Sequence, residues 1–216
     1  MINIITKFES DGFVILNEIL SSDQLCTLSE RCESEVKANV GTRNLLSFDW
    51  AKDLAQTLIE NESLRTLMPK NSVAVQCNYF SKNIQNNWYV TMHRDLSIPI
   101  KNKINSRQWS GWSEKEGVLY AQPPKRVLAE MLAVRLHLED NNSENGALEV
   151  VPGSHKSDKL KIEKRSLGVV SQGGALIMRP LLLHSSTKLK SGKRRVIHFV
   201  FGPKNLPNNM QWANAV

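Results

Sequence analysis

The stretch with the clearest potential for chemistry is "VTMHRDLSIPI", residues 90–100, where His93 and Asp95 are separated by one residue at the end of an apolar run. In an extended strand the side chains of residues i and i+2 point to the same face, roughly 7 Å apart along the backbone. An imidazole and a carboxylate on one face are ligand types that hold a divalent metal ion. Such a pair also meets by chance in many proteins, so a metal site requires a third ligand elsewhere in the chain.

Four other histidines are candidates for that ligand: His137, His155, His184 and His198. His155 follows Pro152-Gly153, a pair typical of a type II turn, and turn histidines more often face solvent. His198 lies in the middle of a predicted strand, and His137 could line a pocket or simply pack. His184 ends the apolar run "LIMRPLLLH" and is followed by polar residues. This is the pattern of a strand that opens into a cleft, which favours His184.

Two histidines and one carboxylate form the facial triad of non-haem iron(II) oxygenases. Iron(II) prefers six ligands, so three protein ligands on one face leave three positions for a co-substrate and oxygen. A fourth protein ligand would block that chemistry. His93, Asp95 and His184 therefore have the residue types and the number that the reaction needs.

The first third of the chain has the patterns of helices that follow one strand. "GFVILNEIL", residues 12–20, predicts the strand, and Ser21 with Gln24 forms a capping-box sequence for a helix over residues 23–36. "DWAKDLAQTLIEN" has apolar residues at helical spacing, with Asp49 as the predicted N-cap. A short helix over residues 62–68 should end at Pro69.

After Pro69 the pattern changes to short strands separated by turn signals such as Asn145-Gly146 and Gly173-Gly174. A run of short strands predicts a sandwich or jelly-roll barrel, which brings residues from distant strands to one mouth. The segment between Lys101 and Pro124 has no clear period, and a stretch of that length is usually functional or disordered.

Length and composition predict a single domain over residues 1–216, in the cytoplasm and without a membrane partner, because no apolar run is long enough to span a bilayer. The net charge of +7 is concentrated in residues 156–165 and 188–195. The second stretch is similar to a nucleic-acid patch. A solvated loop between two strands is the favoured reading, and a field that attracts small anions is a third.

In four segments the sequence resembles the phytanoyl-CoA dioxygenase family of iron(II)- and 2-oxoglutarate-dependent oxygenases. These segments span nearly the whole chain and read "FESDGFVIL", "NWYVTMHRD", "SENGALEVVPGSHK" and "LLLHSSTKLKSGKRRVIHFVF". The resemblance implies a mainly β fold, a double-stranded β-helix of the jelly-roll, cupin-like type, with N-terminal helices packed outside. It also implies that His93, Asp95 and His184 are the catalytic iron ligands.

The resemblance further implies three residues that contact 2-oxoglutarate. Arg195, eleven residues after His184, matches the arginine that binds the distal carboxylate, Ser186 matches an assisting hydroxyl, and Asn78 lies on a strand that provides another contact. The chemistry agrees for an arginine, since a guanidinium binds a carboxylate through two parallel hydrogen bonds. Arg194 should point to the opposite face of the strand.

The activity implied is hydroxylation of a small-molecule substrate with release of succinate and CO2. Asp95 occupies the position that chloride takes in related halogenases, which favours hydroxylation. Two other readings stay open. One is a metal-binding jelly roll without oxygenase activity. The other is an oxygenase that acts on nucleic acid, although the aromatic residues do not interleave with the second basic stretch.

The strand "MLAVRLHLED" gives a prediction about the substrate, because Arg135 and His137 share the face opposite its leucines. If the leucines face the outer helices, the barrel interior receives an arginine and a histidine. A buried arginine is costly unless it is paired. Its partner is either Glu139 in a structural pair or a carboxylate of the substrate, with residues 109–122 closing above.

Overall fold

The computed structural model describes residues 3–36, 40–157 and 164–216. Within these ranges, strands outnumber helices. The α-helices are α1 Ile4–Asp11, α2 Ser22–Ser34, α3 Asp49–Glu60, α4 Glu62–Arg65 and α5 Lys125–Ala129. The strands are β1 Phe13–Leu16, β2 Gly41–Thr42, β3 Ser72–Lys82, β4 Val90–His93, β5 Ile98–Ile100, β6 Ser110–Lys115, β7 Val118–Gln122, β8 Leu132–His137, β9 Leu148–Val150, β10 Ser166–Gly168, β11 Ala175–Met178, β12 His184–Ser186 and β13 Arg194–Pro203.

The strands form three antiparallel sheets, and the predicted jelly roll is confirmed. The larger sheet has the order β1-β11-β8-β13-β3-β2, and the smaller, four-stranded sheet has the order β10-β9-β12-β4. Ala133 and Met178 from the larger sheet pack against Leu148 and Val150 from the smaller one. The two sheets therefore face each other, as the walls of a jelly roll do. A third sheet, β5-β7-β6, lies beside them.

Strand β8 has one face toward the helices and the other toward the interior of the barrel. Val134, Leu136 and Leu138 belong to the core that the larger sheet forms with α2 and α3. Arg135 and His137 point to the other side, and both are buried. The alternation predicted for this strand is confirmed, because only one register places all three apolar side chains beneath the helices.

The capping box predicted for α2 is confirmed, and the structure corrects two other predicted helix boundaries. Helix α2 has the predicted capping box, in which Ser21 and Gln24 exchange hydrogen bonds. Asp49 is not the N-cap of α3: Phe48 occupies that position and gives no side-chain cap. Asp49 lies instead in the first turn, where its charge favours the helix dipole. The short helix α4 ends at Arg65, before the predicted residue 68.

The segment between Lys101 and Pro124, predicted as unpatterned, contains an ordered hairpin. Strands β6 and β7 are joined by Glu116 and Gly117, whose φ values of 51° and 75° are those of a type I′ turn. Glutamate is uncommon at a positive φ, so the turn gives little sequence signal. The Glu116 carboxylate accepts hydrogen bonds from Thr42 Oγ1 and from the Arg43 backbone, which tie the hairpin to the rest of the barrel.

The helices within the described ranges are all too short or too polar to cross a membrane.

Leu136→Ala should lower the free energy of unfolding by about 2 to 5 kcal/mol, because it leaves a cavity between β8 and the helices. Val169→Ala is the control for an exposed position. Val169 is 54% exposed, so truncating its side chain to alanine should cost no more than about 0.5 kcal/mol. Urea unfolding of both variants checks the difference. A Leu136→Ala midpoint equal to that of the wild type would contradict the packing described above.

Candidate active site

Pairing between β4 and β12 brings the predicted metal ligands together. His93, the last residue of β4, is directly opposite His184, the first residue of β12. Asp95 follows two residues later, and its backbone N–H donates to Pro180 O over 2.9 Å. Nε2 of His93 is 3.5 Å from one Asp95 carboxylate oxygen, and Nε2 of His184 is 3.7 Å from the other. One ligand atom from each residue lies within 4.8 Å of the other two.

Both imidazoles are oriented by the backbone. Nδ1–H of His93 donates to Thr91 O over 2.8 Å, and Nδ1–H of His184 donates to Leu182 O over 3.0 Å. A carbonyl oxygen only accepts, so each Nδ1 must carry a proton, and in the neutral imidazole Nε2 then keeps its lone pair. This is how second-sphere hydrogen bonds prepare histidines to bind a metal.

At Asp95 and His184 the electrostatics favour the protonation states that a divalent ion requires. Burial acts to raise the pKa of the Asp95 carboxyl, but the imidazoles of His184 and His93 outweigh it and hold that pKa below its usual range. Burial lowers the pKa of His184. The hydrogen bond with Asp95 raises the pKa of His93. An ionised carboxylate beside an unprotonated His184 fits an iron(II) ion.

Arg94 lies between His93 and Asp95 in the chain and binds backbone carbonyl groups of two other segments. Its side chain forms part of the cavity wall next to His93 and Asp95. Nε donates to Leu181 O over 2.8 Å, and a terminal nitrogen donates to Ser154 O over 3.0 Å. The turn histidine His155 lies on the neighbouring short 3-10 helix and is not part of the metal-ligand group.

The triad opens into a cavity of about 370 Å³ between the larger and the smaller sheet. Polar and charged side chains share its wall with apolar ones. The polar part consists of Arg43, Gln76, Asn78, Arg94, Ser97, Lys115, Arg135, Ser186, Arg194 and His198, together with the triad. Among the described residues that line the cavity, Asp95 is the one carboxylate.

The structure places Arg194, not Arg195, in the cavity wall. Arg194 donates to Gly146 O, and its Nε has no hydrogen-bond partner among the described residues. Arg195 points to the helix side, where Nε lies 2.6 Å from Glu139 and a terminal nitrogen lies 2.6 Å from Glu33. The expectation that Arg195 faces the co-substrate is therefore wrong. Arg195 was assigned by counting eleven residues from His184, and that count crosses the loop before β13. A difference of one residue in the length of this loop moves the assignment to the neighbouring residue, which points to the opposite face of the strand.

Ser186 and Asn78 lie in the cavity wall. The Ser186 hydroxyl oxygen accepts a hydrogen bond from Lys82 Nζ over 2.8 Å. The Asn78 side-chain oxygen accepts from Gln76 Nε2 over 2.9 Å. Both polar groups border the space beside the triad.

Arg135 lies in the cavity wall as predicted, but His137 does not. A terminal nitrogen of Arg135 donates to His198 Nδ1 over 3.2 Å, and its Nε has no hydrogen-bond partner in the described part of the chain. The alternative pair with Glu139 is not formed, because Glu139 binds Arg195. His137 is buried behind the wall, and burial pulls its pKa well below the usual value. This placement removes His137 from the candidate substrate residues.

Lys82 was not singled out from the sequence. It is fully buried, donates to Ser186 Oγ and Thr187 O, and lies 4.9 Å from the ring centre of Trp88. Burial, and after it the positive charges of Arg194 and Arg135, lower the pKa of Lys82 to about 7. A lysine at the end of a strand is usually exposed, so the sequence carries no signal for this position.

The second basic stretch is not a surface patch throughout, because Arg194 and Arg195 are both buried. The first stretch, residues 156–165, falls largely on residues 158–163, which lie outside the described ranges.

Comparison with protein families decides the classification. The sequence profile of the phytanoyl-CoA dioxygenase (PhyH) family matches residues 8–197. The chain belongs to this family. Iron(II) and 2-oxoglutarate are the cofactor and co-substrate of its enzymes, and the two-histidine, one-carboxylate set fits that iron. A search of curated protein sequences finds no match.

Several solved structures share the fold. HygX from Streptomyces hygroscopicus with iron bound aligns with a TM-score of 0.66 at 17% identity, over 91% of this chain and 84% of its own. AviO1 from Streptomyces viridochromogenes Tue57 gives 0.62 at 21% identity, over 95% and 96%. The epimerase SnoN from nogalamycin biosynthesis gives 0.70 at 13% identity, over 99% and 91%. Another HygX structure contains nickel, 2-oxoglutarate and hygromycin B.

Asp95→Ala and His184→Ala should each lose most of their affinity for iron(II) or cobalt(II), because two remaining ligands hold a labile divalent ion weakly. Calorimetric titration of the metal-free protein with cobalt(II) measures this. His155→Ala is the matched control, since His155 lies near the site without belonging to the ligand group. A His184→Ala protein that binds cobalt(II) as tightly as the wild type would show that the third ligand is misassigned.

Proposed function

We propose that this protein is an iron(II)- and 2-oxoglutarate-dependent oxygenase that hydroxylates a small, carboxylate-bearing molecule and releases succinate and CO2. The observation that carries the proposal is the shared cavity. The metal-ligand group of His93, Asp95 and His184 opens into the same space as the guanidinium of Arg194 and the hydroxyl of Ser186. To bind, 2-oxoglutarate needs a metal ion that it can chelate and, beside that ion, a group that binds its distal carboxylate.

His93, Asp95 and His184 would hold the iron, which when bound supplies the activation of oxygen. Because the described residues offer three ligands there, any further ligand of the ion would come from the cavity. Asp95 fills the place that a halide takes in the related halogenases, which supports hydroxylation. Its ionised carboxylate keeps that place at neutral pH.

Arg194 is proposed to bind the distal carboxylate of 2-oxoglutarate, in place of the Arg195 expected from the sequence. Arg194 is buried, and its Nε–H is a donor without a hydrogen-bond acceptor among the described residues. A buried donor without a partner is unfavourable, so a carboxylate that completes it gains binding energy. Ser186 and Asn78 in the same wall are proposed as further contacts.

The charge of the cavity supports an anionic substrate. Arg135 and Arg194 line it, Lys115 and Arg43 border it, and Asp95 is the one carboxylate among the described lining residues. Iron(II) and the 2-oxoglutarate dianion cancel each other, so loading both leaves the positive excess in place. Such a cavity concentrates and favours anions. Arg135, whose Nε has no hydrogen-bond partner among the described residues, is proposed to hold the carboxylate of the substrate.

The structural relatives support a small molecule as the substrate, since one HygX structure holds hygromycin B beside nickel and 2-oxoglutarate. Incubating the iron-loaded protein with 2-oxoglutarate, oxygen and a library of amino acids and other small carboxylates, with succinate as the readout, tests the proposal. We expect succinate release to rise with one class of carboxylates. If no carboxylate raises succinate release above the level of the metal-free protein, the proposal is refuted.

Arg194→Ala should weaken 2-oxoglutarate binding by about two to three and a half decades, because losing one partner of a buried ion pair costs about 3 to 5 kcal/mol. Arg195→Ala is the matched control: it removes contacts with Glu139 and Glu33, so it should reduce stability and leave 2-oxoglutarate affinity within about threefold. Calorimetry on the nickel-loaded protein measures the affinity, and thermal unfolding measures the stability. Equal losses of affinity in the two variants would contradict the assignment.

Arg135→Gln should raise KM for the carboxylate substrate at least about tenfold, since it removes a charge-assisted hydrogen bond. The same variant should keep the wild-type affinity for 2-oxoglutarate. If instead 2-oxoglutarate binding falls and KM for the substrate does not change, Arg135 belongs to the co-substrate site. Steady-state kinetics and calorimetry separate the two outcomes.

A further inference from the structure

Lys82 lies directly behind the part of the cavity wall where 2-oxoglutarate is proposed to bind. It is the last residue of β3 and has no exposed surface. Its ammonium donates to Ser186 Oγ over 2.8 Å and to the Thr187 carbonyl over 3.1 Å. No carboxylate of the described residues acts on it, and the charged groups that do are Arg194 and Arg135.

A buried ammonium is costly without a negative partner. The cost is increased here because Lys82 is paired across the sheet with Arg194, which places two cations on neighbouring strands. Arg194 is also buried, and its Nε is unpartnered in the described structure. Two adjacent buried cations without a protein carboxylate indicate that a ligand supplies the negative charge.

The hydrogen bond to Ser186 has a defined direction. In its charged form, which a dianionic ligand favours, Lys82 has three donors and no acceptor, so it must donate and the Ser186 oxygen must accept. The hydroxyl group has one hydrogen of its own, and Lys82 cannot receive it. That hydrogen is therefore free to be donated into the cavity that Ser186 lines.

We infer that Lys82 is a positioning residue for the co-substrate: it turns the Ser186 hydroxyl into a donor for the distal carboxylate of 2-oxoglutarate and adds its charge to that of Arg194. This inference rests on the proposed function. Lys82 does not line the cavity itself, so it acts through Ser186. Its consequence is selectivity: the site favours an oxoacid with a second carboxylate over one that ends in a methyl group.

The experiment compares two ligands on the nickel-loaded protein by calorimetry. One is 2-oxoglutarate, and the other is 2-oxovalerate, which has the same chain length but a methyl group in place of the distal carboxylate. Lys82→Met should weaken 2-oxoglutarate binding about tenfold or more, the effect of losing a charge-assisted hydrogen bond. Binding of 2-oxovalerate should change less than about threefold. Lys190→Met, an exposed lysine on the following loop, is the matched control and should change neither.

A double-mutant cycle tests whether the effect passes through Ser186. Ser186→Ala alone should weaken 2-oxoglutarate binding, and adding Lys82→Met to it should cost clearly less than Lys82→Met costs in the wild type. Full additivity would refute action through Ser186. Equal weakening of both ligands by Lys82→Met would show a structural role only, and an unchanged 2-oxoglutarate affinity would remove the role altogether.

Folding and the proposed function are checked separately. Thermal unfolding shows whether Lys82→Met is folded. If it is not, Ser186→Ala decides alone, because wild-type affinity for 2-oxoglutarate in that variant overturns the inference. A wild-type protein that binds nickel but not 2-oxoglutarate would refute the proposed function itself, whereas a wild type that binds both and a Lys82→Met variant that binds equally well refutes only the role of Lys82.

Discussion

The antiparallel register between β4 and β12 is the constraint on which the site depends. It sets His93 directly opposite His184, and the chain then needs only two more residues to add Asp95. The backbone carbonyls of Thr91 in β4 and of Leu182, just before β12, fix both imidazole tautomers. Arg94 joins the segment before β12 to the loop after β9, because it donates to Leu181 O in the first and to Ser154 O in the second. The metal-ligand geometry is thus set by the backbone ladder and its immediate hydrogen bonds.

The larger sheet supplies the opposite wall, and alternation along β13 divides its charges between two tasks. Arg194 faces the cavity, whereas Arg195 faces the helices and binds Glu139 and Glu33. The outer arginine joins α2 to the sheet through a satisfied ion pair. The inner arginine keeps unsatisfied donors, together with Arg135 on the adjacent strand. The same residue type is therefore structural on one face and available for a ligand on the other.

The sequence predicted those features that repeat with a period or require a fixed set of residue types. The alternation of β8 placed Arg135 inward because its leucines had to be buried beneath helices. The ligand triad could be predicted because iron limits the residue types and their number. Arg195 failed because its position was counted through a loop, and loop length is not periodic. The hairpin at Glu116 and the burial of Lys82 were missed because neither residue type is usual in its environment.

Strand β4 is the last strand of the smaller sheet as described, so its sheet pairing in that sheet comes from β12 alone. Edge strands open more readily than central ones, since fewer hydrogen bonds must break. Opening of β4 would separate His93 and Asp95 from His184 on its partner. A metal held by all three residues would act as a cross-link that closes this edge. Metal binding and local unfolding of this edge are then linked by mass action, because the ion binds only the closed form. A higher metal concentration therefore makes opening of the edge rarer.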